Sequence, residues 1–235
     1  MSYIMNLKHL LKKTFLYKLY NKRNINIEIS RNKHFLLEGE ELLQVLAQVL
    51  NDNKILFWLD FGTLLGYYRD NDFIKHDNDI DIGVKIEDSL KLNKVLSSSG
   101  FKLIHKFSTS TGGLEECYRY KNTCVDVFYY NTDKSNNSIY CYIFFIVSNF
   151  IKFHNKCYKC TVKRLDFPIS DFVQVKFKGA QVNIPAETRK YLELSYGKNF
   201  MIPDPNYKPE STQTNATYYT YEEIQAQAVI YGRKI

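Results

Sequence analysis

The chain has 235 residues, 45% of them apolar and 24% charged, with a formal net charge of +7. That length and apolar fraction mark a globular protein of one or two domains with a good core, and exclude a disordered chain. The positive balance suits an anionic ligand or surface, such as a nucleotide diphosphate, a phosphorylated glycan or an acidic membrane, without selecting one.

Residues 4–20 repeat apolar positions at helical spacing (Ile4, Leu7, Leu11, Phe15, Leu19) with lysines between them, which predicts a basic amphipathic helix. Such a helix either packs on the domain, its lysines covering the apolar face, or makes peripheral contact with an anionic membrane; packing is the favoured reading. No small-residue cleavage site follows these apolar residues, so the segment does not read as a secretory signal. Residues 21–32 are polar and read as a linker. A second helix is expected over 35–50, its apolar face (Leu36, Leu37, Leu42, Leu43, Val45, Leu46, Val49, Leu50) lying against a sheet. The expected divisions are 1–33, N-terminal helix and linker; 34–205, one catalytic domain; and 206–235, a C-terminal loop and helix.

The stretch Trp58–Val84, WLDFGTLLGYYRDNDFIKHDNDIDIGV, is the densest in chemistry. A short apolar run, Ile55–Leu59, passes through Asp60-Phe61-Gly62-Thr63 into Leu64, Leu65, Tyr67 and Tyr68, which predicts a buried strand turning into a helix. Gly62 and Thr63 then sit at a helix N-terminus, where backbone N–H groups and a hydroxyl suit a phosphate. In Asp79-Ile80-Asp81-Ile82 a strand's period of two puts both carboxylates on one face and both isoleucines on the other. Adjacent acids repel, and a hard divalent cation, Mg²⁺ or Mn²⁺, relieves them. A solvent-facing strand would alternate in the same way.

Beyond this stretch, a helix over 89–99 stopped by Gly100, a strand over 101–104, and a hairpin of 118–120 with 124–130 are expected, the last bringing Asp126 into the sheet. The longest apolar region, 139–153, is about 15 residues, short of the ~20 that span a bilayer. His154, Cys157 and Cys160 form H-x-x-C-x-x-C in what reads as one tight loop. With Cys141 or Cys124 they would make a structural Zn²⁺ site, although unlinked free thiols are the commoner outcome of such spacing. Five cysteines, an odd number, without a secretory context argue for reduced thiols and a cytoplasmic protein, at most peripheral to a membrane. A strand over 172–177, a turn at Gly179, a helix over 186–196 capped by Gly197, and a last helix over 218–231 complete the chain.

Strand, Gly-Thr turn, helix, then a strand bearing D-x-D resembles the nucleotidyltransferase superfamily. More narrowly, Asp60, Gly62, Thr63, Leu64, Leu65, Gly66, Arg69, Phe73, Ile74, Asp77, Asp79, Asp81 and Gly83 resemble the motif of the LicD family. That family includes bacterial phosphocholine transferases and fukutin-type glycan phosphotransferases. Lys75-His76 stands where the family has Pro-Trp, and Asn78 stands for the middle acid of three, expected to point away from the Asp79/Asp81 face. A second match, Phe177, Gly179, Val182, Ile184, Pro185, Tyr191, Leu192, Tyr196, Gly197, Phe200 and Pro203, follows in family order.

The resemblance implies an α+β fold, a nucleotidyltransferase-like mixed β-sheet with flanking helices. It implies metal-dependent transfer of a phospho-alcohol, phosphocholine or a polyol phosphate, from a CDP-linked donor such as CDP-choline or CDP-ribitol to a glycan or glycolipid hydroxyl, with no nucleic-acid partner. Asp79 and Asp81 would hold Mg²⁺ or Mn²⁺. Asp126 would complete that shell or accept the acceptor's proton. Gly62 and Thr63 would cradle the donor phosphate, and Arg69 would bind phosphate or pair with Asp70 or Asp72. Asp60 and Asp77 would support the site from behind or serve as turn and cap residues. Nucleotidyl transfer from an NTP, and a non-catalytic glycan- or membrane-binding protein on the same scaffold, are the alternatives.

Overall fold

The computed structural model describes residues 15–146, 157–204 and 213–232. Its first element, α1 (Phe15–Asp52), is a single helix of 38 residues. It runs unbroken through 21–32, which corrects the expected linker. Residues 26–30, Ile27 and Ile29 included, are exposed on the helix, and Arg31 and Asn32 bond to the loop around residues 75–79. The segment is a solvated stretch of helix with its last turn docked on that loop. Of the expected 4–20 helix, residues 4–14 lie outside the described residues.

From Phe35 onward α1 buries Phe35, Leu42, Leu43, Leu46, Ala47 and Leu50, a stripe at three- and four-residue spacing. Leu36 and Leu37 instead face outward, at 60% and 74% exposure. The helix stops where Lys54 adopts a left-handed φ of 53° and the Ile55 N–H turns back to the Leu50 carbonyl at 3.0 Å.

The sheet then begins. Strand β1 (Phe57–Leu59) leads into helix α2 (Phe61–Asp70), and β2 (Ile80–Lys85) returns antiparallel to β1. Helix α3 (Ser89–Ser98) and the hairpin β3 (Lys102–Ser108)–β4 (Leu114–Tyr120) precede β5 (Thr123–Asp133). Strand β5 pairs antiparallel with β4 across a turn at Lys121-Asn122 and parallel with β2. The expected hairpin is therefore present, and its second strand lies beside the D-x-D strand.

Next come β6 (Ser138–Ile146), β7 (Cys157–Pro168), the pair β8 (Phe172–Phe177) and β9 (Ala180–Pro185), and helix α4 (Thr188–Tyr196). The expected last helix is instead β10 (Ala216–Tyr219), one helical turn α5 (Tyr221–Ile224) and β11 (Gln227–Ile230). Residues 224–228 alternate buried Ile224, Ala226 and Ala228 with exposed Gln225 and Gln227, a period of two that fits a strand. The nine-stranded sheet runs β1-β2-β5-β4-β3-β11-β7-β10, with β6 pairing β5 and β7. The fold is thus a mixed sheet with helices packed on it, as expected of an α+β protein. The β8–β9 pair packs on β1 and α1, and the Asn183 side-chain amide donates to the Phe57 carbonyl at 2.8 Å.

Gly83 shows why that position takes no side chain. It pairs with Trp58 across β1 and β2, and a Cβ there would fall 2.2 Å from the indole, which is itself stacked on Phe172 at 4.5 Å. Gly83→Ala is expected to cost about 1–3 kcal/mol in chemical denaturation through overpacking. Trp58→Phe in the same chain should recover part of that loss. A Gly83→Ala protein as stable as the wild type would refute this close approach.

Candidate active site

The site is built from the turn between β1 and α2. Asp60 caps α2: its Oδ1 accepts from the Phe61 N–H at 2.9 Å. The same carboxylate accepts from the Tyr130 hydroxyl of β5 at 2.7 Å and the Tyr191 hydroxyl of α4 at 3.0 Å. Tyr191 stacks on Phe167 of β7, with ring centroids 4.1 Å apart. Asp60 is fully buried, and that burial pushes its pKa up to about 7 against the pull of its three donors. It joins β1, β5 and α4, a structural cap away from the cleft.

Phe61, the first residue of α2, has φ +35°, a conformation that bulky side chains rarely adopt, and its ring packs edge-on against Phe128 at 4.5 Å. The strained turn aims the next N–H at the D-x-D strand. The Gly62 N–H donates to Asp81 Oδ2 at 3.0 Å, the Asp81 N–H donates to Thr63 Oγ1 at 2.9 Å, and the Asp60 N–H donates to the Asp81 carbonyl at 3.0 Å. A Cβ at Gly62 would lie 2.9 Å from Asp77 Oδ2 and 3.2 Å from Asp81 Oδ2, so glycine lets two carboxylates close on the helix N-terminus. Gly62 and Thr63, expected to cradle a phosphate, are here engaged in holding Asp81.

Asp81 and Asp126 are register partners in the parallel pair β2–β5, so the third carboxylate stands directly beside the second. Burial, then the charges of Asp79, Asp126 and Asp77, push the Asp81 carboxyl well above the usual range. Burial and Asp79 likewise push Asp77 up to about 7, opposed by Arg69. Asp79 Oδ2 accepts from Arg31 of α1 at 3.1 Å, and Asn78 Oδ1 accepts from the same nitrogen at 2.6 Å. Asn78 therefore shares a partner with Asp79.

Four acids crowded at one strand start form an all-oxygen donor set that fits a hard divalent cation in its chemistry. In this conformation no three acidic, imidazole or thiolate side chains among the described residues converge to hold a metal ion. The two D-x-D carboxylates each have their own protein partner, Arg31 for Asp79 and the Gly62 N–H for Asp81.

A cleft of about 1020 Å³ opens from Gly62 and Asp77, with the Arg69 guanidinium and the His76 imidazole on its lining and Leu65, Ile74, Phe200 and Ile202 among its apolar walls. Arg69 does pair with Asp70, through Nε at 3.0 Å and a terminal nitrogen at 2.9 Å, yet its side chain is only 11% exposed and lines the cleft beside Asp77. Asp72 pairs with Lys178. A second cleft of about 510 Å³ lies between β6, β7 and β10, where Arg164 is bound to Asp133 and Asp166.

The cysteine cluster is not assembled. Cys157 and Cys160 lie along the extended strand β7, three residues apart and thus on opposite faces, which corrects the expected tight loop. Cys160 pairs with Ile146 while Cys141 pairs with Leu165, five pairing steps away, roughly 17 Å along the ladder. Cys124 sits in β5 packed with Ile104 and Cys117. His154 lies outside the described residues.

Arg31, Asn32 and Tyr130 entered the site unforeseen. Asn32 donates to the carbonyls of Lys75 at 2.9 Å and Asp77 at 2.6 Å, fixing the loop that carries the acids. The available signal was phase: Glu28, Arg31, Phe35 and Leu42 continue the three- and four-residue spacing of the helix that follows them.

Comparison with known proteins identifies relatives of the chain. The family model described as LicD/FKTN/FKRP, nucleotidyltransferase domain, matches residues 54–187. Ribitol-5-phosphate transferase FKTN of Homo sapiens is 31% identical over 193 residues, 78% of this chain and 38% of that protein. An uncharacterized protein of Rickettsia prowazekii is 34% identical over 101 residues, 43% of this chain and 35% of its own. The chain spans little more than a third of the length of these relatives. The lincomycin-bound crystal structure of lincosamide antibiotic adenylyltransferase LnuA aligns with a TM-score of 0.40 and 15% identity, over 66% of this chain and 88% of that one.

The raised carboxyl of Asp77 has a consequence for stability. An acid whose folded pKa exceeds its unfolded value withholds stability as pH rises between the two, here from about 4 to about 7. Asp77→Asn removes that loss. In metal-free buffer the variant should melt higher than the wild type at pH 8, with the gain fading by pH 4. A difference independent of pH would contradict the crowding.

Proposed function

The chain belongs to the LicD/FKTN/FKRP nucleotidyltransferase-domain family, and from that premise we propose that it transfers a phospho-alcohol from a CDP-linked donor to a hydroxyl of a glycan or glycolipid. The observation that carries this reading is the pairing of Asp81 with Asp126 on parallel neighbouring strands, with Asp79 two residues ahead, next to a cleft lined by Arg69 and His76. In-line attack on a diphosphate needs positioning and charge neutralisation more than covalent help. Asp79, Asp81 and Asp126 would hold Mg²⁺ or Mn²⁺, which neutralises the diphosphate when bound.

The chain's own groups supply the rest. The Gly62 N–H and the Thr63 hydroxyl fix the Asp81 carboxylate and its backbone, so their part is to shape the carboxylate cluster. Arg69, already desolvated on the cleft wall, is placed to give bidentate hydrogen bonds to a phosphate, exchanging Asp70 for it. Asp126 accepts the proton of the attacking hydroxyl or completes the cation's shell. The human relative's name makes ribitol 5-phosphate the transferred group to test first, ahead of phosphocholine. No described helix is long and apolar enough to cross a membrane. Contact of the basic N-terminal segment with a membrane surface remains part of the proposal, since a glycolipid acceptor would lie there.

The test is CMP release from CDP-ribitol, CDP-glycerol, CDP-choline and CDP-ethanolamine with Mn²⁺ or Mg²⁺, water standing in for the acceptor. Release is expected from at least one donor. It should disappear with chelator and fall about 10²-fold or more in Asp79→Asn, Asp81→Asn and Asp126→Asn, as loss of several kcal/mol of charge stabilisation requires. Pyrophosphate release from CTP or ATP, with no CMP from any CDP-alcohol, would overturn this donor assignment in favour of nucleotidyl transfer.

A further inference from the structure

Arg31 lies far from the D-x-D strand in sequence and against it in space. Its side chain is 10% exposed, and one terminal nitrogen donates to both Asp79 Oδ2 at 3.1 Å and Asn78 Oδ1 at 2.6 Å. The other terminal nitrogen bonds the Glu28 carboxylate at 3.1 and 3.3 Å, and the Asn78 amide donates to Glu28 at 2.7 Å. The guanidinium is thus clamped from its own helix and from the loop, and Asp79 is turned toward it. Across the cluster, Asp81 is turned instead toward the Gly62 N–H.

We propose that Arg31 is a resident counter-charge at the cation site, a positioning residue that competes with a divalent cation for Asp79 and thereby sets how tightly that cation binds. The inference rests on the assignment of Asp79 as a cation ligand. Without a cation, the guanidinium offsets the charge of Asp79, the acid it touches in the cluster. When a cation binds, Asp79 changes partner or shares its second oxygen, while a fixed positive charge stays close and weakens the binding. Electrostatics decides the sign: one unit charge within several ångströms of a divalent ion in a partly solvated site alters its affinity about tenfold or more. The donor's diphosphate brings compensating negative charge, so the cation is taken up with the donor more readily than alone. Helix α1 is by this account part of the catalytic unit.

The experiment is titration with Mn²⁺ alone, followed by loss of the free-ion electron paramagnetic resonance signal, on the full chain. Arg31→Met is expected to bind Mn²⁺ about tenfold more tightly than the wild type, and Arg31→Lys, which keeps the charge, to stay near it. Glu28→Gln changes an exposed residue and leaves Arg31 less neutralised, so it should bind Mn²⁺ a few-fold more weakly; it carries the test if Arg31→Met does not fold. Equal or weaker binding in Arg31→Met, or tighter binding in Arg31→Lys to match it, overturns the inference. Wild-type binding that is lost in Asp81→Asn but unchanged in Arg31→Met overturns the inference alone. No Mn²⁺ binding by any of these proteins overturns the cation-site assignment along with it.

Discussion

Repulsion among carboxylates is the constraint around which the site is arranged. Asp77, Asp79, Asp81 and Asp126 are brought together around β2 and its neighbour β5, and burial raises the cost of ionising Asp77 and Asp81. Three devices contain that cost. The N-terminus of α2 turns its Gly62 N–H on Asp81, Arg69 draws on Asp77 from the cleft wall, and Arg31 reaches Asp79 from α1. Two of these positive or partly positive groups come from opposite ends of α2 and the third from α1, so the site exists only when both helices are docked on the sheet.

The docking itself depends on buried polar contacts as much as on apolar ones. Asp60 receives hydrogen bonds from its own helix, from Tyr130 and from Tyr191, which ties the end of the first strand to β5 and to a helix residue 131 positions later in the chain. Burial and the neighbouring Asp60 charge push both phenols well above the usual tyrosine range, so they act as neutral donors. The two motif regions, residues 60–83 and 177–203, thus meet at one carboxylate. Their shared presence in the chain has a physical reason: the second region supplies the Tyr191 hydroxyl that the first region's cap requires, and Phe200 of the second lines the cleft that begins at Gly62 of the first.

Glycine acts in this site by absence of a side chain. At Gly62 it lets two carboxylate oxygens approach the helix end, and at Gly83 it leaves room for the Trp58 indole, which packs in turn on Tyr130 and Phe172. Both positions carry contacts that any Cβ would obstruct.

Local pattern was enough to read the parts whose information is local. The apolar run before Asp60, the Gly-Thr turn, the alternation of Asp79-Ile80-Asp81-Ile82 and the β4–β5 hairpin each follow from residue spacing within a few positions. The Asp126 pairing was legible through the resemblance to a known layout. Other features were decided only in three dimensions. The polar residues 21–32 look like a linker by composition; the phase of Glu28, Arg31 and Phe35 carries the local signal of a helix, and docking on the 75–79 loop supplies the partners that composition does not show. The cysteines share a suggestive spacing, but an extended strand separates what a loop would have gathered. Arg31 and Tyr130 act across 48 and 70 residues of chain, a separation at which no local pattern reports a partner. The sequence by itself determined the acids and the strand that bears them, because a period of two is enough to place side chains on one face. Which groups neutralise those acids was left to the tertiary structure, because charge compensation depends on distance in space.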